Sequence, residues 1–281
     1  MEEKRVIGPE DYIEPRCVLC GDPYGAEPTV KAVPQDRIIR KMDEYMGRRD
    51  YAGAERHLLY WLEEARLGHD ERGELMLRNE LAGHYRKTGE RDKAIENAEA
   101  ALALLDALDF QGTVSAGTTY VNAATVYNAF GENERSLELF MKAREAYEAD
   151  DRTDKALLGG LYNNMGLAFA SLSRWEEAFA WFDRAMEAMA QVPGGALEQA
   201  ITCLNIADVL DRMKGMEEAE EEIDEWLIRA LELLAPGNFP EDGYCAFVLE
   251  KCVPTFAYFG WFLAEKQLRE RAEAIYRSLR E

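Results

Sequence analysis

Four stretches of the chain repeat the same order of small, large and polar positions. LAGHYRKTGERDKAIENAEAAL (81–102), AATVYNAFGENERSLELFMKAR (123–144), MGLAFASLSRWEEAFAWFDRAM (165–186) and IADVLDRMKGMEEAEEEIDEWL (206–227) align without a gap. A small residue recurs at Ala82, Ala124, Gly166 and Ala207, and three residues later comes an apolar one at Tyr85, Tyr127, Phe169 and Leu210. A turn position follows at Gly89, Gly131, Ser173 and Lys214, the last beside Gly215. Beyond the turn stand Ala94, Ser136, Ala178 and Ala219, then Ala98, Phe140, Phe182 and Ile223, then Ala101, Ala143, Ala185 and Trp226. The steps between units are 42, 42 and 41 residues. Spacings of three and four on both sides of the turn are the helical period, so each unit predicts two helices joined by a tight connection. Strand signals are scarce, with no Asn-Gly hairpin turn and no sustained alternation. Five of the nine prolines fall in the first 34 residues and the next is Pro193, which leaves a long stretch free to be helical. The expected class is all-α.

Small residues let the two helices of a unit approach closely, while the large apolar residues fill the space between them. One such hairpin cannot bury its apolar face alone, so hairpins stack. These columns resemble the tetratricopeptide repeat, with Gly/Ala then Tyr in its first helix (helix A) and Ala, Phe, Ala in its second (helix B). The 42-residue period exceeds the usual 34. It is similar to the longer repeats of kinesin light chain and of bacterial peptide-sensing regulators. Met42, Tyr45, Ala54, Leu58 and Trp61 fit one step upstream; Gly260, Leu263, Ala272 and Tyr276 fit downstream after an insertion near 235–240, which reads as a loop. The resemblance therefore implies a right-handed solenoid of about six hairpins over residues 35–281, preceded by an irregular segment at 1–34.

With 47% hydrophobic residues the chain has material for a sizeable core, which excludes a disordered polypeptide. Its formal charge of −21 argues against nucleic acid, whose binding depends on cationic side chains, and against an anionic membrane surface. No apolar run approaches a membrane span and the acidic start does not read as a secretory signal. Five cysteines, an odd number spread over 281 residues, do not suggest a disulfide framework. The expected setting is the reducing cytoplasm.

No nucleophile elbow, zinc-protease, P-loop or dinucleotide motif is present, so no enzyme and no cofactor is expected. The inner surface of the array is the better candidate. Two residues before the small residue of each helix A stand Glu80, Asn122, Asn164 and Asn205. A carboxamide donates and accepts, so a row of them can grip the backbone of an extended peptide whatever its side chains. The resemblance implies that role for Asn122, Asn164 and Asn205; bonding to a neighbouring helix is the alternative. Asn128 lies further along its helix. Arg78, Arg86 and Lys87 make the second repeat basic and Asp208 and Asp211 make the fifth acidic, which would orient a peptide by its ends. The expected partner is a protein or peptide, with self-association through an end repeat as an alternative. The seven acids in 216–225 read as a solvated face of the fifth helix B.

One further motif, Cys17-Val18-Leu19-Cys20-Gly21, has the form of half a zinc knuckle. A structural zinc needs four ligands and no second pair follows, so packing of two small thiols against the first repeat is the preferred reading. A metal-binding or redox-responsive regulator built on Cys17 and Cys20 is the alternative function.

Overall fold

A computed structural model describes residues 30–279 of the chain. Among these residues there are twelve α-helices and no strand. The chain divides into two compact units, 1–77 and 78–281. Cys17 and Cys20 lie outside the described residues.

In the first unit, α1 (Gln35–Gly47) and α2 (Tyr51–Leu67) form a hairpin. Ile38 and Met42 are buried with Ala54, Leu58 and Leu62, apolar positions three and four apart that place one stripe of each helix inside. Asp50 caps α2 by accepting the Gly53 N–H at 2.8 Å. Asp70 precedes α3 (Glu71–Thr88), whose first turns close this unit. Its buried carboxylate accepts the Gly73 N–H at 2.9 Å and the Val33 N–H at 2.8 Å. Two backbone donors offset the cost of burying that charge. One side chain thus caps a helix and ties down residue 33.

In the second unit, α3 continues into a series of hairpins. It is followed by α4 (Arg91–Ala107), α5 (Val114–Ala129), α6 (Asn133–Glu148), α7 (Lys155–Ser171) and α8 (Trp175–Met189). Then come α9 (Ala196–Lys214), α10 (Glu220–Leu233), α11 (Gly243–Tyr258) and α12 (Phe262–Ser278). The repeated columns are the core: Ala82, Ala124 and Ala207, Tyr85, Tyr127, Phe169 and Leu210, and Phe140, Phe182 and Ile223 are all buried. Gly166 shows why a small residue is required there. A methyl group on it would lie 2.5 Å from the Phe182 ring, far inside contact distance.

The connections from helix A to helix B share one backbone device. Gly89, Gly131, Ser173, Gly215 and Gly260 all have left-handed φ, between 56° and 87°. The residue in that conformation in the fifth repeat is Gly215, so the turn register keeps its 42-residue step and Lys214 closes the helix. In the same repeat Leu227, not Trp226, is fully buried in the last column. The acidic run is only partly helical: α10 begins at Glu220, and Glu220, Glu221 and Glu222 sit in its first turn. Carboxylates there favour the positive end of the helix dipole.

Helices α5, α7 and α9 each touch the next helix A, α7, α9 and α11 in turn, while α4, α6 and α8 pack on the helix A that follows them. Helices α5, α7, α9 and α11 are therefore the crowded inner row of the second unit. Regularity ends after α10. There α11 packs on α9, across a connection that carries the inserted residues.

Candidate functional site

The inner row displays the asparagine column at two levels of engagement. Asn122 on α5 and Asn164 on α7 are half-buried, and neither carboxamide has a hydrogen-bond partner among the described residues. Asn205 on α9 is also half-buried, but its Nδ2 donates to Oδ1 of Asn163 on α7 at 2.9 Å. A similar bond joins α3 to α5, where Asn79 Nδ2 donates to Thr119 Oγ1 at 3.0 Å. The column thus splits: polar side chains on neighbouring inner helices hold one member, and two remain available. On Asn128 the side-chain oxygen is buried without a partner.

The charged residues are distributed differently from the simple gradient expected. Arg78 does not face the groove. It is buried, and its guanidinium donates to Asn97 Oδ1 on α4 at 2.8 Å, within the hairpin. Arg86 is exposed. Lys87 places its ammonium 5.7 Å from the centre of the Phe247 ring on α11, a cation–π contact that brings the end of α3 to the start of α11. At the other pole Asp208 is half-buried without a hydrogen bond, while the neighbouring Asp211 accepts from the Tyr258 hydroxyl at 2.8 Å. Burial, with the added charge of Asp211, pushes the Asp208 carboxyl up to about 6, and Arg212 opposes that shift only in part.

Hydroxyl side chains on α5 and α7 are committed within the fold. Thr118 Oγ1 lies 2.9 Å from the Tyr147 hydroxyl on α6, and Thr125 and Ser171 donate to carbonyls of their own helices. Residues that the sequence did not single out complete the inner face. Tyr244 and Phe247 on α11 are exposed, and the Tyr244 hydroxyl donates to Glu198 on α9. Their three-residue spacing on one helical face was legible, but only tertiary packing shows which row of helices they face. No group of three or more metal-ligating residues occurs among the described residues, and no helix among them is long and apolar enough to cross a membrane.

Comparisons with known proteins agree with the helical-repeat fold. Photosystem I assembly protein Ycf3 from Synechococcus sp. (strain CC9311) is 31% identical over 114 residues, covering 39% of this chain and 62% of that protein. Ycf3 of Parasynechococcus marenigrum (strain WH8102) is 31% identical over 116 residues, with the same shares. The match therefore spans less than two thirds of these curated relatives. Among solved structures, a single-residue variant of a Podosopora anserina kinesin light chain with nearly identical TPR-like repeats superposes with a TM-score of 0.51. It covers 76% of this chain and 99% of that one at 17% identity, which is a likeness of fold alone. The tetratricopeptide repeat model matches residues 73–149 and again 157–235, more than half of the chain. With the repeated columns buried as paired helices, this chain belongs to the tetratricopeptide repeat family.

Proposed function

We propose that the inner face of the second unit holds an extended segment of a partner protein, without catalysis. A tetratricopeptide array is a protein-interaction scaffold; the finer reading names how the segment is held. The observation that supports it is the pair of half-buried carboxamides on successive inner helices, Asn122 and Asn164, with no hydrogen-bond partner among the described residues. Such groups are stabilised by a ligand that offers a backbone N–H and C=O. Asp208 fits the same picture, because an unpaired carboxylate held against its ordinary ionisation costs stability and is compensated when a cation arrives. Arg86 and Lys87 lie on α3 and Asp208 on α9, so a bound segment is read with its acidic end toward α3 and its basic end toward α9. The curated relatives are named for photosystem I assembly, which favours a partner engaged during assembly of a larger complex.

The test separates the two kinds of asparagine. For a partner recovered by pull-down, Asn164→Ala is expected to weaken affinity about 5- to 100-fold with little change in Tm. Asn205→Ala strands the oxygen of Asn163, and is expected to lower stability by about 1–3 kcal/mol. Equal affinity of the wild-type protein and Asn164→Ala would remove the reading.

A further inference from the structure

A cleft of about 540 Å³ opens where the amino-terminal ends of α7, α9 and α11 converge. Its walls come from the start of α7, the α8–α9 connection and the α10–α11 connection, the last being the longest loop between helices of the second unit. The second loop is the insertion that breaks the repeat period. In repeat arrays such insertions map to one face, often the binding face.

The chemistry of the lining is specific. Leu157, Met189, Leu197 and Phe239 supply apolar wall, and Leu157 is exposed to solvent. Gly160 belongs to the lining, and a methyl group added to it would meet nothing within 4 Å. Glycine at that point of a helix costs stability relative to alanine, so the open space there is not a packing requirement of α7. Glu198 and Asp242 are the charged residues of the lining, and both are anionic. Glu198 accepts the Tyr244 hydroxyl on one oxygen, and Asp242 accepts the Cys245 N–H at 2.9 Å on one oxygen. Each keeps its second oxygen unpaired among the described residues. The volume falls within the range of sites that enclose a ligand, roughly 300–1,000 Å³.

We propose that this cleft is an anchor site for a partner protein segment in which a large aliphatic side chain is followed by arginine or lysine. The aliphatic group enters between Leu157, Leu197 and Phe239, and the cation reaches the free oxygens of Glu198 and Asp242. Charge complementarity selects this occupant, because no cation lines the cleft among the described residues and the chain carries a net charge of −21. Gly160 and Asn164 are one helical turn apart on α7, so the cleft continues the face that carries the free carboxamides. The assignment names the partner chemistry for the reading above and rests on it only for that continuity.

The probe is a blocked hexapeptide with one Leu-Arg pair in a glycine–serine background, followed by methyl NMR on the full chain. The expected result is saturable shifts of the Met189 and Leu197 methyls at peptide concentrations up to about 10 mM, with Kd on the order of 1 mM for a single anchor. The same peptide with Leu-Glu should bind about 2- to 5-fold more weakly, and the one with Gly-Arg should not shift these methyls. Gly160→Leu, which fills the cleft from a position with free space, should abolish the shifts and keep the helical circular dichroism and Tm. Glu198→Gln should lose the preference for arginine over glutamate. Absence of shifts with Leu-Arg, equal affinity for Leu-Glu, or retained binding in Gly160→Leu would each overturn the assignment. Failure of Asn164→Ala to alter partner affinity, with hexapeptide binding intact, would leave the cleft standing and remove only the groove reading.

Discussion

The stretch from α5 to α8 and the stretch from α9 to α12 are built from the same hairpin, yet they use it differently. In the first, the 42-residue register holds, connections are short, and Phe140, Phe182 and Tyr147 are completely enclosed or nearly so. In the second, a long connection precedes α11, Pro254 interrupts the amide ladder of that helix, and Phe262 and Leu263 are about two-thirds exposed. The cleft opens where this half meets the start of α7, and the unpaired Asp208 belongs to this half. An interior repeat has neighbours on both sides and buries nearly every non-polar position. Where the period breaks, helices cannot meet at the same distance, and apolar and charged groups are left facing open space.

The largest expected effect tests that contrast in the core. Phe182→Ala should lower the free energy of unfolding by about 3–5 kcal/mol, because the enclosed ring leaves a cavity that neighbours cannot fill. Phe239→Ala, in the wall of an existing cleft, should cost less than half as much by urea denaturation, since packing around that ring is already incomplete. Equal losses would break the distinction between the two halves.

A second comparison uses pH. The folded-state value of Asp208, about 6, lies above its ordinary 3.8, so the native state binds the proton more tightly than the unfolded chain. Stability contributed by this group therefore falls as pH rises from about 4 to 6, and the penalty is complete above that window. Asp208→Asn should raise stability at pH 7 by about 1–3 kcal/mol and give no gain near pH 4, as read from thermal melts across that range.

Two glycines on α7 sharpen the picture further. Gly166→Ala forces a methyl into the Phe182 ring and should destabilise by about 1–3 kcal/mol. Gly160→Ala meets open space and should stabilise by about 0.5–1 kcal/mol through helix propensity. Chemical denaturation of the two variants side by side checks the opposite signs. The smallest effect concerns the one turn in this series without glycine. Ser173 holds φ at 56°, so Ser173→Gly should gain a few tenths to about 1 kcal/mol in the same measurement.

Much of the fold was legible because its determinants are local and repeated. The columns of small and aromatic residues marked both helices of each inner hairpin. Asp50, Asp70, Thr113, Asp154 and Asp242 stand where helix starts demand a side-chain acceptor. The shift from Lys214 to Gly215 was harder to see, since an alignment without gaps carried the 41-residue step at Ala207 into the turn, whereas α9 runs one residue further from that column to its turn than the earlier inner helices do. The site was legible only in part. Asn122, Asn164 and Asn205 share a column, but their spacing carries no information about whether a neighbouring side chain already satisfies them. Arg78 is similar: its helix position was readable, and its bond to Asn97 was not.

By itself, then, the amino-acid sequence determined the helical hairpin, its period and the location of the break near residue 235, because helix propensity, turns and burial patterns act over a few residues. Tertiary structure alone decided that Asn163 occupies the carboxamide of Asn205 while leaving Asn164 without a hydrogen-bond partner among the described residues, and that Leu157, Leu197 and Phe239 meet around one cleft. Those outcomes depend on the distance and rotation between helices some 40 residues apart in sequence, set by how the intervening side chains pack.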